Sequence, residues 1–272
     1  MSDVRLTDRI LRHDRRIVAA ALFFAVVVAA WFILAGGGTG MSAIGMTAHT
    51  GPAGALIAGA PDMVSPMLWT PRYALVIFVM WWLMMVAMMV PSAAPTILLY
   101  GALNRSRGVL APLLFAFGYL TIWAVFSAIA TGAQSTLAAL GLISPMFMSL
   151  ATPWLGAAIL VGAGLYQLTP LKAACLNHCR GPVEALTRHR RTGRAAAFRM
   201  GLLHGGFCLG CCWALMALLF VGGVMNIWWI IGITLYVAVE KLVPSGNRLA
   251  RPIGAALVLA GLALLLQNFD AG

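Results

Sequence analysis

The sequence predicts an all-α, polytopic membrane helix bundle, and three observations carry that prediction. Of the 272 residues, 62% are hydrophobic and 9% charged, whereas a soluble domain carries about a quarter charged residues. Mean hydropathy is +0.93, so a chain of this length cannot cover itself with a polar surface. The apolar residues fall into seven runs, near 17–35, 73–90, 111–131, 153–171, 195–221, 227–243 and 252–268. Each approaches the about 20 residues that cross a bilayer as a helix. None has the alternating pattern of an outer-membrane barrel strand.

Charge orients the bundle. If the N-terminus is cytoplasmic and each run crosses once, the inner segments hold Arg5, Arg9, Arg12, Arg15 and Arg16. They also hold Arg105 and Arg107, then Lys172, Arg180, Arg188, Arg190, Arg191, Arg194 and Arg199, and finally Lys241, Arg248 and Arg251. That is 17 of the 18 Lys and Arg residues, with Arg72 outside. This is the positive-inside pattern, and it predicts seven transmembrane helices with the N-terminus cytoplasmic and the C-terminus external. The net charge of +11 then belongs to loops facing anionic lipid. Membrane lipid, and not nucleic acid, is the partner expected for the basic cluster "RHRRTGR" at 188–194.

The domain organisation follows. Residues 1–16 form a basic cytoplasmic N-terminus. Residues 17–35 form an anchor helix, longer than a signal-peptide core and lacking a clear cleavage pattern. Residues 36–72 make an external segment, either loop or re-entrant lid, containing His49 and Asp62. Residues 73–268 make the helix bundle, with 132–152 as an uncharged external connection and 172–194 as the main cytoplasmic loop.

Two stretches concentrate soft metal ligands. "HGGFCLGCCWALM" at 204–216 lies in the fifth run. At 100° per residue, His204, Cys208 and Cys211 share an arc of roughly 60°, which Cys212 widens to about 100°. Gly201, Gly205 and Gly206 beside that face would let a neighbouring helix approach closely. "CLNHC" at 175–179 places Cys175, His178 and Cys179 on the expected cytoplasmic side. Both stretches therefore face the reducing side, where structural disulfides are rare. Thiolate with imidazole suits Cu(I) or Zn(II) and disfavours Mg(II) and Ca(II). In "MWWLMMVAMMVPSAAP" the methionines form two stripes, Met80–Met84–Met88 and Met85–Met89. Thioethers favour Cu(I), though a buried methionine stripe is also ordinary packing material. Met84, Met88 and Glu240, the last beside Lys241 at the end of the sixth run, are possible secondary ligands. Pro91 and Pro95 would open the helix ladder just past the methionines.

These motifs, with "YQLTPLKAACLNHCRGP" at 166–182 and "VEKLVP" at 239–244, resemble a bacterial family of predicted metal-binding integral membrane proteins. The resemblance covers roughly residues 70–250. It implies metal binding and a bacterial inner-membrane location, and it implies no substrate and no reaction.

The residues thus point to a multi-pass protein that binds a soft ion, copper first and zinc second, through Cys175, His178, Cys179, His204, Cys208, Cys211 and Cys212. Handling, delivery or transport of that ion would follow, with a membrane cuproenzyme or a metallochaperone as partner. Two alternatives stand beside it. One is a membrane thiol–disulfide or metal-dependent redox enzyme using the C-x-x-C pair Cys208 and Cys211. The other is an assembly subunit of a larger membrane complex. The sequence identifies no catalytic residue.

Overall fold

The computed structural model describes residues 2–39, 42–54, 69–104, 108–144, 148–181 and 193–269. Along these runs α1 spans Ser2–Leu34, α2 Ala43–Thr50, α3 Pro71–Leu103 and α4 Leu110–Ala139. A two-stranded antiparallel ladder follows, β1 (Ile143–Ser144) pairing with β2 (Ser149–Leu150) in the register Ile143–Leu150 and Ser144–Ser149. Then come α5 (Pro153–Gln167), α6 (Pro170–Arg180), α7 (Arg194–Ala217), the short α8 (Leu219–Gly222), α9 (Ile227–Leu242), a 3₁₀ turn over Gly246–Leu249, and α10 (Ala250–Phe269).

The chain marks four of these starts with a capping side chain. Thr70 and Thr169 accept hydrogen bonds from the backbone N–H groups of Tyr73 (3.2 Å) and Lys172 (3.3 Å), each with a proline at the next position. Proline at the first helical position loses a donor that would have no partner there. Ser42 caps α2 and Asn226 caps α9 in the same way.

Among the described residues, five helical stretches are long and apolar enough to cross a membrane: His13–Leu34, α3, α4, Arg194–Gly222 and Ala250–Gln267. The expected fourth and sixth runs form α5 and α9, helices of 15 and 16 residues, each short of a straight crossing. The fourth run is also not one rod. α5 and α6 meet at 63° across a break of a few residues. Pro170 has no N–H and its ring opposes the carbonyl four residues back. The chain tightens there instead, with Leu168 N–H bonded to Leu165 O and Thr169 N–H to Tyr166 O, both at 3.0 Å.

Two of the expected connections, 132–152 (a loop or a short interfacial helix) and the start of 172–194, carry regular structure. α4 runs eight residues past position 131, to Ala139, and the β ladder occupies much of what remains before α5. Residues 170–180, expected to lead into the cytoplasmic loop, are helical. Asp62, Arg105, Arg107 and Arg188–Arg191 lie outside the described residues. The 36–72 segment contributes α2, which is tied to the start of α9. Asn226 Nδ2 donates to Thr50 Oγ1 (2.9 Å) and Gly51 O (3.0 Å), and Ile227 N–H donates to Thr47 Oγ1 (3.0 Å).

Helix packing relies on glycine at two crossings. α4 lies against α7, where a Cβ on Gly118 would overlap the carbonyl oxygen of Phe198, and one on Gly201 that of Phe115. Gly205 faces Ile122 and Tyr119, whereas Gly206 has open space around it. Two of the three glycines expected to admit a neighbouring helix therefore do so. α5 meets α10 similarly through Gly164, Gly254 and Gly261. Gly201→Ala should destabilise the protein by about 1–3 kcal/mol or more, the cost of overpacking a filled contact, while Gly206→Ala should be near neutral. Thermal denaturation of the two purified variants checks this, and equal melting temperatures would refute the close crossing.

Outward faces are apolar as well. Phe23, Phe24 and Trp31 on α1 and Leu259 and Leu266 on α10 are well exposed, as expected of surfaces that meet lipid in place of water.

Candidate metal centre

The α4–α7 crossing brings Tyr119 onto the cysteine face of α7. Its Oη lies 3.0 Å from Cys208 Sγ and 3.4 Å from the carbonyl oxygen of Met89. From the end of α9, Lys241 Nζ donates to the same Cys208 Sγ at 2.9 Å. Cys208 is thus held between an ammonium and a phenol, all three side chains buried.

The other cysteines of α7 turn inward too. Cys211 and Cys212 donate to the carbonyl oxygen of Cys208 at 3.1 Å and 2.8 Å. This is the back-bonding open to small polar side chains in a helix. Cys212 Sγ is 3.9 Å from Met89 Sδ on α3. α6, turned aside at the Pro170 break, lays Cys179 against α7 with its Sγ 4.0 Å from Cys211 Sγ. Cys175 sits one turn earlier, half-buried, where a Cβ on Gly210 would come within 2.8 Å of its sulfur. All five cysteines are free thiols.

The two histidines go elsewhere. His204 packs its ring between Phe115 and Tyr119, with centroids 5.7 Å and 5.8 Å away. His178 is exposed and stacks on Phe207 at 4.1 Å. Among the described residues no group of three or more His, Cys, Asp or Glu side chains is arranged to hold a metal ion. The seven expected ligands therefore do not form one ready-made chelate. Four thiols and one thioether converge instead.

That sulfur set still fits a soft cation. A metal–thiolate bond is about 2.3 Å, so two thiolates on one ion stand about 3.8 Å apart in a tetrahedral site and about 4.6 Å apart in a linear one. The Cys179–Cys211 separation of 4.0 Å falls between these. Hard cations take oxygen ligands, and among the described residues no carboxylate contacts these sulfurs.

Glu240, a possible secondary ligand from the sequence, is engaged away from the thiols. Its Oε1 receives Lys172 Nζ in a buried ion pair and the Tyr236 hydroxyl at 3.2 Å. Lys172 also donates to Gln167 Oε1, and Gln167 Nε2 donates to Tyr236 Oη at 2.9 Å. The sequence neighbours Glu240 and Lys241 thus serve two different networks. Adjacent residues on a helix point about 100° apart, so they were poor candidates for pairing with each other. Neither Tyr119 nor Lys172 stands out in the sequence as a site residue. Nothing distinguishes one tyrosine among the aromatics of α4, and Lys172 reads as one more inner-loop cation.

Compared with known families, residues 78–264 match the model of PpoB2, described as a copper chaperone, which is well over half of the chain. The match agrees with the metal-related part of the resemblance seen in the sequence. No curated protein and no solved structure shows significant similarity to the chain. The matched stretch carries Met89, Cys179, the three α7 cysteines and Lys241, and the chain belongs to the PpoB2 copper chaperone family.

Proposed function

We propose that this is an integral membrane protein that takes Cu(I) as cargo on the thiols of Cys179, Cys208, Cys211 and Cys212, with Met89 beside them, and passes it to a partner. The observation that carries the reading is the convergence of α3, α6 and α7 sulfurs at one place, with an ammonium aimed at one of them. Family membership supports copper as the first choice and delivery as the role, with a membrane cuproenzyme or a metallochaperone receiving or supplying the ion. Zinc is the second choice, since thiolates also suit it. The arginine distribution supports a bacterial inner-membrane topology of seven crossings, N-terminus inside, in which α5–α6 and α9 complete the five longer helices. Cys175 and His178 then stand at the cytoplasmic mouth of the thiol cluster, placed to hand the ion in or out.

Elemental analysis of the purified protein beside a Cys208→Ser/Cys211→Ser/Cys212→Ser variant tests this. The wild type should retain copper after washing with a weak chelator and the variant should not. Equal copper and zinc contents in the two proteins would end the proposal.

One observation favours a second reading, a thiol–disulfide exchange centre. The cross-helix pair Cys179–Cys211 stands 4.0 Å apart, sulfur to sulfur, so it is a pair to test beside the C-x-x-C of Cys208 and Cys211. Oxidation by a quinone followed by alkylation and mass spectrometry would reveal a Cys179–Cys211 bridge if this reading holds.

A further inference from the structure

Every methionine of the two α3 stripes is buried inside the bundle. Met80, Met84, Met85, Met88 and Met89 are each at most 1% exposed, although α3 as a whole presents several half-exposed residues to its surroundings. At helical spacing, Met80, Met84 and Met88 stand one above another, as do Met85 and Met89. The lower end of this column is fixed, because Met89 Sδ lies 3.9 Å from Cys212 Sγ. The upper end is fixed as well. Gly37, with φ +59°, closes the end of α1 over Met80, and a Cβ there would come 3.4 Å from both Met80 Sδ and the methyl of Met225. Met225, fully buried, lies in the turn just before α9. Nine residues separate Met80 from Met89, so the column covers about 13 Å of helix axis at about 1.5 Å per residue.

We infer that these thioethers form a Cu(I) relay, separate from the thiol cluster, running from beneath the Gly37–Met225 cap down α3 to Cys212. The inference rests on the copper reading above and adds a route and a second class of binding site. Thioethers are soft, uncharged ligands that carry no proton. An ion moving along them exchanges one Cu–S bond for the next, with no electron or proton transferred. Each i,i+4 pair can grip one Cu(I) between two sulfurs on flexible side chains. The anionic thiolates at the end bind the cation more tightly than neutral thioethers do, which gives the relay its direction. In the proposed topology the cap lies on the external side and the thiols in the inner half, so the relay would carry copper inward.

The test uses the full chain in detergent, with Cu(I) held in competition with a chromophoric chelator and Ag(I) as a second soft probe. The Cys208→Ser/Cys211→Ser/Cys212→Ser variant should still bind Cu(I) and Ag(I), more weakly than wild type, and should exclude Zn(II). X-ray absorption on that variant should show sulfur neighbours around the ion. Adding Met84→Leu and Met88→Leu, or Met85→Leu and Met89→Leu, should abolish this residual binding. Leu for Met nearly conserves volume, so the fold should survive, and repeating the absorption measurement with Cys175→Ser and Cys179→Ser added leaves only thioethers as sulfur neighbours. Residual binding that is absent, or that persists unchanged after both sets of Met→Leu changes, overturns the relay. The thiol reading is judged independently, by the difference between wild type and the cysteine variant.

Discussion

Glu240→Gln is expected to destabilise the protein by about 3–5 kcal/mol, the scale on which a buried ion pair fails when one partner is removed. Lys172 and Glu240 have 1% and 0% of their side-chain surface exposed. Deleting one charge leaves the other in a low-dielectric surrounding without a counter-ion. The pair's contribution, however, is not a simple gain. Two ions were desolvated to make it, and among the described residues Glu240 Oε2 finds no hydrogen-bond partner. Replacing both by apolar residues, Lys172→Leu with Glu240→Leu, should therefore recover most of the loss. Melting temperatures of Lys172→Leu, Glu240→Leu and the double variant, in one detergent, give the comparison. If the double variant loses as much as both singles together, the two groups act independently and the pairing argument fails. The pair also matters for the metal centre. Lys172 sits in the first turn of α6 and Glu240 at the end of α9, so their bond ties α6 to α9. Cys179 meets Cys211 only while α6 lies on α7. The single variants should thus weaken copper retention as well as stability.

The helices are legible in the sequence chiefly as apolar runs, and α3 and α9 announce themselves a second time by a capping residue. Thr70–Pro71 and Asn226 bound two of the expected runs within two residues. The same signal at Thr169–Pro170 marks a new helix, but it lay inside an apolar run and was read through as one span. Hydropathy reports burial and is blind to a change of axis, so the 63° bend could have come only from the proline. The meeting of the "CLNHC" and "CLGCC" segments was legible in outline, since the arginine pattern puts both on one side. Which side chains would turn toward each other was not. The histidines looked like ligands by type, yet Phe115, Tyr119 and Phe207 offer their rings flat surfaces to pack on. The same blindness hid Tyr119, whose role depends on α4 approaching α7 closely enough at Gly201 and Gly205. Long-range juxtaposition of this kind is set by which helices touch, and a single sequence does not state that.

Lys241→Gln should weaken Cu(I) binding by about 100-fold or more, while Lys241→Arg should bind within about tenfold of wild type. The charge count explains the size. Lys172 is neutralised by Glu240, which leaves the Lys241 ammonium with Cys208 Sγ as its acceptor at 2.9 Å. Two thiolates on one Cu(I) make a centre of net charge −1, buried among apolar helices. In the proposed site the Lys241 ammonium, 2.9 Å from Cys208 Sγ, would balance it. Loss of a buried counter-ion costs about 3–5 kcal/mol, and each 1.4 kcal/mol is about tenfold in affinity. Gln keeps a hydrogen-bond donor and removes the charge, and Arg keeps the charge, so the two variants separate electrostatics from hydrogen bonding. The same substitution distinguishes copper from zinc. Two thiolates on Zn(II) are neutral overall and need no cation beside them, so zinc affinity should change far less in Lys241→Gln. Competition titrations with chelators of each ion measure both quantities on one preparation. A Lys241→Gln protein that holds Cu(I) as tightly as wild type would show that the ammonium is not the partner of the copper-loaded site. Parallel losses of copper and zinc affinity would instead mean that Lys241 positions Cys208 without regard to the charge of what binds there.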